Sequence, residues 1–567
     1  MNLAEIFETQ VIENVDKIAY TFLADGEDKA ITITYSELEV NVKTISSILQ
    51  EKYHVGDRAI LLFDTGLDFI NSLWACFLSG IIAVPIHPPM DMRGINKLLH
   101  IIKDSQPSLV LTTSSFVSQM SFFEGSMKDI PKIDKIAVDS LPEKLFPFKK
   151  LDILDTTNAL IQYTSGSVGV SKGVLLNHGN ITDNAYMLKA VLEETPPPNA
   201  QKDSFLCWLP LYHDMGLMSG VILPLVMGTT STLMSPLMFL QKPYRWLKAL
   251  TKYKSTVSAA PNFAYELCIK KVKDEQLEQL DLSSWSVALN GAESIKSQTI
   301  ERFTEKFSII GFKPEYFYPA YGLAESVVFV TGPSRDQLPV ILEIDKEALE
   351  NNQVKVSEES QKVSVVSTGH IWLDEKVIIV NPQTFKECQT DEIGEVWIAG
   401  KSVATGYWNM PEETQNTFEF SLSDDQDKKY LRTGDLGFFK NDNLFITGRI
   451  KDLIIIRGHN YYPHHIEHSV EKFSSFFRPG SSAAFSIVIG NEEKLVLIQE
   501  IKKEAVIENT ESFKNSVKKM IVEEHGIILH DIVFLKQGSI FKTSSGKVQR
   551  KLCKNKYLKC ELDLWKK

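Results

Sequence analysis

The sequence predicts an α/β protein of more than one domain, and three observations predict it. Between residues 30 and 330, helical segments alternate with short β-rich runs such as RAILLF, SLVLTT, SFLCWLP and TVSAAP. That alternation is what a parallel sheet covered by helices on both faces requires. After about residue 330 the runs shorten to KVIIVNP, EIGEVWIAG and NLFITG, separated by Gly, Asn and Asp, which predicts a smaller β-rich subdomain. Residues 451–567 carry 20 Lys/Arg against 14 Asp/Glu, a net of +6, so −17 of the overall −11 falls on residues 1–450. A final domain is therefore expected to begin near Lys451. The length of 567 residues exceeds what one hydrophobic core usually serves.

The elements follow in order. FINSLWACFLSGIIAVPI, Phe69 to Ile86, has the length of a short membrane span. Gly80 and Pro85 divide it, so residues 68–79 read as a helix that Gly80 caps, and IIAVPI as a buried strand of a parallel sheet. No integral membrane segment is expected. The N-terminus, MNLAEIFETQ, has no basic stretch followed by an apolar one. Cys76, Cys207, Cys268, Cys388, Cys553 and Cys560 are scattered without disulfide or zinc spacing. Both features point to a cytoplasmic location.

A hydrophobic fraction of 43% with 23% charged residues fits an ordinary globular chain and excludes a disordered or fibrous one. The acidic whole, with no basic stripe interleaved with aromatics, argues against a nucleic-acid partner. Lys542, Lys547, Arg550, Lys551, Lys554, Lys556 and Lys559 concentrate charge near the end. They admit two readings, a solvated surface or a face that docks an acidic partner.

After the strand-like ALIQY comes YTSGSVGVSKG, Tyr163 to Gly173. Glycines let backbone N–H groups approach oxyanions, hydroxyls add donors, and Lys172 adds a full charge, so the loop suits phosphate. A Walker loop would need Gly at Ser171 and Ser or Thr at Gly173, so a P-loop kinase or GTPase is excluded. Alone, such a run is equally a linker or a hairpin turn.

Further along stand PAYGLAES at 319–326, LRTGDLG at 431–437, TGRIKDLIIIRG at 447–458 and SSGKVQRK at 544–551. In this order the set resembles the adenylate-forming superfamily, which includes acyl-CoA synthetases, luciferases and peptide-synthetase adenylation domains. WLPLYHDMGLMSG, SAAPNFAYELC, PAYGLAESVVFVTG and LIIIRGHNYYPHHIE resemble its fatty acyl-AMP ligase branch. The resemblance spans nearly the whole chain. It implies a large multi-subdomain α/β N-terminal domain, residues 1–450, with 330–450 as its β-rich part, and a small mobile α+β C-terminal domain, 451–567.

The implied reaction joins a fatty acid to AMP from ATP with Mg²⁺, releasing pyrophosphate, and then passes the acyl group to an acyl carrier protein. A fatty acyl-CoA synthetase and an inactive binding protein on this fold are the alternatives. The stretch from Gly332 to Thr368 is inserted relative to acyl-CoA synthetases. By resemblance it restrains the C-terminal domain and disfavours free CoA; the other reading is a neutral surface loop.

The resemblance also distributes roles. Thr164, Ser165, Gly166, Ser167, Gly169 and Lys172 match the loop that holds the β- and γ-phosphates, with Val168 in place of a hydroxyl residue and Ser171 in place of proline. Asn290, Gly291 and Ala292 match the adenine turn, and Tyr321 and Gly322 the residues beside the adenine and α-phosphate. Glu325 matches the Mg²⁺ acid, with Ala324 where many relatives have Thr. Asp435 and Arg449 match the ribose contacts, a carboxylate being able to accept from both hydroxyls of a diol. Lys451 matches the hinge and Lys547 the lysine of the adenylation step. His213 matches a histidine at the edge of the acyl site, with a buried structural histidine as the other reading. Trp208, Met215, Met218 and Phe263 are expected to line an apolar tunnel or else to fill the core. HHIEH at 464–468 contains the H-x-x-E-H spacing of inverted zinc peptidases, but it follows the hinge motif and begins behind Pro463, so a surface helix is expected.

Overall fold

The computed structural model describes residues 1–89, 91–118, 133–141, 146–164, 171–197, 202–358, 362–456, 459–490, 492–543 and 546–566. The alternating region builds two seven-stranded sheets, not one. In the first, Phe317–Pro319, Val287–Asn290, Val257–Ala260, Phe205–Cys207, Ser231–Met234 and Ile18–Leu23 run parallel in that order, and Ala30–Thr34 closes the edge antiparallel. In the second, Gly406–Tyr407, Lys172–Asn177, Asn158–Thr164, Ile82–Ile86, Arg58–Leu62, Leu109–Thr112 and Asp134–Ala137 lie side by side. Its first three strands are antiparallel neighbours and the rest are parallel. Periodicity places each strand but cannot say which sheet it joins, because Ile18–Leu23 pairs with a strand more than two hundred residues away.

The long apolar stretch behaves as its composition dictates. Leu67–Ser79 is a helix, Gly80 adopts φ +65° at its C-terminus, and all five residues of Ile82–Ile86 are buried. Among the described residues no helix is long and apolar enough to cross a membrane. The main core runs from Leu3 to Leu444 and contains a chain of ring contacts through Trp208, Trp246, Tyr265, Trp285 and Phe303.

The β-rich part is a four-stranded antiparallel sheet of Lys376–Val380, Gly394–Ala399, Leu431–Lys440 and Asn443–Arg449. Beyond it, Phe477–Ile489, Glu492–Ile501 and Leu529–Leu535 form a three-stranded sheet with helices Pro463–Phe473, Thr510–His525 and Arg550–Leu558, around cores of their own.

The inserted segment is a closed excursion. Thr331 and Gly332 pair with Ile371 and His370, so its two ends meet. Within it, Ile341–Asp345 pairs antiparallel with Lys362–Val366, and Lys346–Glu350 is a short helix. Ile344, Leu349, Val354 and Val365 are buried together with Phe438, Phe445 and Tyr462. The insertion therefore packs against both the last hairpin of the β-rich sheet and the first part of the C-terminal unit. Lys346 Nζ donates to the carbonyl of Glu524, and it lies 3.3 Å from His525 Nδ1. A cation at the final turn of Thr510–His525 meets the negative end of that helix. Asn460 Nδ2 donates to Asn352 Oδ1 at 3.1 Å.

Candidate active site

Parallel strands gather ligand-facing loops at their carboxyl ends. Ala260, Asn290 and Pro319 are register partners at the ends of three adjacent strands, so Asn262, Gly291 and Tyr321 emerge at one edge. Asn290 is fully buried; its Nδ2 donates to Asn262 Oδ1 at 3.3 Å, and its Oδ1 has no partner among the described residues. Ala292 holds φ +65°, turning the chain sharply after the strand. Gly322 admits no side chain, because a Cβ would sit 1.7 Å from the carbonyl oxygen of Val328.

Tyr321, Asp435 and Arg449 form one unit. The Tyr321 hydroxyl donates to Asp435 Oδ2 at 2.8 Å, and Arg449 Nε forms an ion pair with Oδ1 at 2.8 Å. Asp435 and Arg449 face each other across the Leu431–Lys440 and Asn443–Arg449 hairpin. Asp435 is 3% exposed. Burial, then the Asp435 charge, pushes the Tyr321 hydroxyl well above its usual range, and Asp435 raises the Arg449 guanidinium. Lys451 follows in the turn Ile450–Asp452, where burial and Arg449 depress its ammonium.

Lys547 reaches the same place from the far end of the chain. Burial lowers its pKa, as does Arg449, against the opposing fields of Asp214, Glu293 and Asp435. Its backbone N–H donates to Thr543 Oγ1 at 3.1 Å, closing a tight turn in which Gly546 holds φ +85°. A Cβ on Gly546 would lie 3.8 Å from Phe263 Cε1, so Phe263 faces this turn. Arg550 fixes the turn from behind: Nε and Nη2 each donate to the Glu467 carboxylate at 2.7 Å, and Nη1 to Asp452 at 3.2 Å. Glu467 also accepts from the Ala484 N–H at 3.0 Å. The acid of the HHIEH run is thus engaged in holding the C-terminal unit together, with both its oxygens committed.

The phosphate-loop candidates divide. Thr164 and Lys172 are partners at the mouth of the hairpin Asn158–Thr164 and Lys172–Asn177. Ser165, Gly166, Ser167 and Gly169 lie outside the described residues. Lys172 Nζ is 2.5 Å from Glu413 Oε2 and 4.7 Å from the centre of the Tyr407 ring. The Tyr407 hydroxyl donates to Glu325 Oε1 at 2.8 Å. Glu325 sits in the single turn Ala324–Ser326, and its carbonyl accepts from Ala404 N–H at 2.9 Å. Val327 then takes φ +62°, ψ −70°, with Val328 N–H donating to Ser326 O at 2.7 Å. This is a γ-turn of the strained hand, on a β-branched residue.

His213 Nδ1 lies 2.5 Å from Asp214 Oδ1. Burial resists ionisation of Asp214, but His213 and the Met215 N–H outweigh it and hold the carboxyl below its usual range. Asp214 and Met218 line a small cavity with Leu160, Gln162, Ile222 and Val327. Trp208, Met215 and Phe263 do not line it. Trp208 is stacked on Phe239 at 3.9 Å and meets Trp246 edge-on, so it belongs to the aromatic core. Met218 differs because the helix Asp214–Leu217 widens into a π-turn, Met218–Ile222.

Asn262, Glu293, Tyr407 and Glu413 join the site without having been singled out in the sequence. Glu293 Oε1 accepts from Phe263 N–H at 2.5 Å, and burial pushes its carboxyl up. GYWNMPEET offered a signal in its Gly, its aromatics and its paired acids, but such a run reads equally as an ordinary strand and helix start.

Comparison with known proteins agrees with this geometry. The family described as AMP-binding enzyme matches residues 7–408, and the Disco-interacting protein 2-like AMP domain matches residues 451–567. The chain is 39% identical over 558 residues to the medium-chain-fatty-acid–[acyl-carrier-protein] ligase JamA of Moorena producens, covering 96% of this chain and 93% of that protein. It is 33% identical over 570 residues to the long-chain-fatty-acid–AMP ligase FadD26 of Mycobacterium marinum, covering 98% and 97%. The crystal structure of the fatty acyl-adenylate ligase from L. pneumophila in complex with acyl adenylate and pyrophosphate superposes with a TM-score of 0.75, at 35% identity, covering 99% and 97%. The chain belongs to the AMP-binding enzymes of the adenylate-forming superfamily and is closely related to the fatty acyl-AMP ligases.

Proposed function

We propose that this protein activates a fatty acid with ATP, forming acyl-AMP and pyrophosphate, and then delivers the acyl group to the phosphopantetheine thiol of an acyl carrier protein. The observation that carries the reading is the buried Tyr321–Asp435–Arg449 unit, with the turn that bears Lys547 set against Phe263 and its ammonium in the fields of Asp435, Arg449 and Asp214. Tyr321 offers a flat ring beside a purine, and Asp435 a carboxylate for the ribose hydroxyls. The buried Asn290 Oδ1 suits an adenine amino group as donor.

The fatty acid, with a pKa of about 4 to 5, is already a carboxylate at neutral pH and needs no general base. Its oxygen attacks the α-phosphorus, the bond from that phosphorus to the bridging oxygen breaks, and pyrophosphate leaves with the electron pair. Lys547 offsets the repulsion between the two anions and stabilises the charge that develops on the phosphoryl oxygens. Lys172 meets the departing phosphates. Glu325 presents a hard oxygen ligand of the kind Mg²⁺ prefers, and that ion, when bound, neutralises phosphate charge.

For the second step, the C-terminal unit turns about Lys451 as the hinge between residues 1–450 and 451–567, and the thiol sulfur attacks the acyl carbonyl as AMP leaves. The net +6 of residues 451–567 suits an acidic carrier protein. Incubation with ATP, Mg²⁺ and a panel of fatty acids, with CoA or a loaded carrier protein as acceptor, tests this. Acyl-AMP and acyl-carrier products are expected by mass detection. Efficient acyl-CoA would assign the chain to the synthetases instead, and no adenylate from any acid would reject activation altogether.

A further inference from the structure

We propose that Tyr407 is a positioning residue that holds Lys172 and Glu325 apart while aiming each, so that the lysine is kept for phosphate and the carboxylate for metal. This rests on the function proposed above and adds a residue to its machinery.

The two charged groups lie on either side of one phenol. The ring face carries the Lys172 ammonium at 4.7 Å, and the hydroxyl donates to Glu325 Oε1 at 2.8 Å. One phenol engages both charged groups through different parts of itself, so neither has to be spent on the other. The ring attracts the ammonium through its quadrupole without removing its charge, a contact worth about 0.5–2 kcal/mol. The hydroxyl fixes one carboxylate oxygen, and a carboxylate has two.

Tyr407 is itself held from several directions. Gly406–Tyr407 pairs with the strand that begins at Lys172, and Trp408 N–H donates to Gly173 O at 2.7 Å. Tyr407 N–H donates to Thr414 Oγ1 at 2.9 Å, and Phe418 meets the ring edge-on at 5.1 Å. Gly406 holds φ +144°, and a Cβ there would lie 2.4 Å from Thr414 Cγ2, so the turn that delivers the ring is built tightly. Three residues upstream, Ala404 N–H binds the Glu325 carbonyl. The segment thus joins the lysine's strand to the acid's turn.

Glu413 completes the arrangement as a temporary partner. It is 55% exposed, and exposed ion pairs contribute about 0–1 kcal/mol. A polyphosphate can therefore take Lys172 from it at small cost.

The test compares Tyr407→Phe and Tyr407→Leu with the wild-type protein. The readouts are initial rates over a Mg²⁺ titration, KM for ATP at saturating Mg²⁺, and calorimetric binding of inorganic pyrophosphate. Tyr407→Phe keeps the ring and loses the hydroxyl, so half-saturating Mg²⁺ should rise about tenfold, with pyrophosphate affinity held within about threefold. Tyr407→Leu loses both and should also weaken pyrophosphate binding and raise KM for ATP about tenfold or more. A purely packing role would lower the melting temperature in Tyr407→Leu while leaving Mg²⁺ dependence and pyrophosphate affinity at wild-type values, and that result overturns the proposal. If the wild-type protein forms no acyl-AMP, the functional reading fails by itself, and pyrophosphate calorimetry on the same variants still decides the role of Tyr407.

Discussion

Tyr321 and Asp435, 114 positions apart in sequence, share a buried hydrogen bond of 2.8 Å in which the phenol binds Oδ2 and leaves Oδ1 to Arg449. An aromatic face and a carboxylate are thereby set at a fixed separation before any nucleotide arrives. Preorganisation of this kind lowers the cost of binding. Replacing Asp435 by Ala removes the proposed ribose acceptor and strands both partners. ATP affinity by calorimetry should fall at least about tenfold, as expected for loss of charge-assisted hydrogen bonds. Unchanged affinity would reject the ribose assignment.

Lys547 should behave differently. Its charge is needed most as the transition state forms, so Lys547→Ala should cut acyl-AMP formation far more than it weakens ATP binding. A loss smaller than about tenfold, about 1.4 kcal/mol, would sink the assignment. Calorimetry with ATP provides the contrast, with an expected change of under about threefold.

The insertion makes the third case. Cutting out residues 332–368 would uncover Phe438 and Phe445, so a cleaner test removes only the polar links to the C-terminal unit. Lys346→Ala with Asn352→Ala deletes the contacts to Glu524, His525 and Asn460 and keeps the buried residues. If the insertion restrains that unit against a CoA-competent arrangement, the double variant should form acyl-CoA where the wild-type protein forms little. A restraint of about 2–3 kcal/mol, weakened by half, would be visible in product ratios. A double variant that makes acyl-AMP at the normal rate and still no acyl-CoA would show that the determinant lies elsewhere.

The same contact predicts a pH dependence. Burial, helped by the Lys346 charge, depresses His525 to about 3 and His465 to about 4. The unfolded values lie near 6.5, so between about pH 6.5 and pH 3–4 the unfolded chain binds more protons than the folded one. The stability that these two histidines' burial as neutral groups favours in the folded chain is therefore fully present above about pH 6.5 and is lost as pH falls, by up to about 1.4 kcal/mol per unit and per histidine. Limited proteolysis or hydrogen exchange of residues 451–567 at pH 7.5 and 5.5 should show faster opening at the lower pH. Equal protection at both would contradict it.

Much of this site was legible because its residues lie in runs whose order carries information. RTGDLG and TGR announced Asp435 and Arg449, and the hairpin register then set them face to face. Lys547 could be named from SSGKVQRK, but its nearness to Asp214 and Glu293 depends on how the C-terminal unit docks, which no local pattern encodes. Tyr407 stayed hidden for a related reason: its meaning lies in a sheet that pairs it with residue 174 and brings it to residue 325. Trp208 admitted two readings because a large ring fills a core as readily as it lines a tunnel, and its stack on Phe239 is compatible with both. The insertion's length was readable, but its grip on the last turn of Thr510–His525 was not, since Lys346 looks like any surface lysine.

The bent backbone at Val327 has a consequence for any attempt to improve this protein. A buried valine cut to glycine normally destabilises a fold by several kcal/mol, from lost burial and the hole left behind. Here glycine would also relax a conformation that costs about 1–3 kcal/mol on a β-branched residue, so the two effects offset and Val327→Gly should look almost silent in a melting experiment. Silence in that assay would conceal damage if the loosened bend, two residues after Glu325, let that carboxylate wander. Screens that rank variants by heat resistance alone would accept this substitution, and only turnover would expose what had been given up.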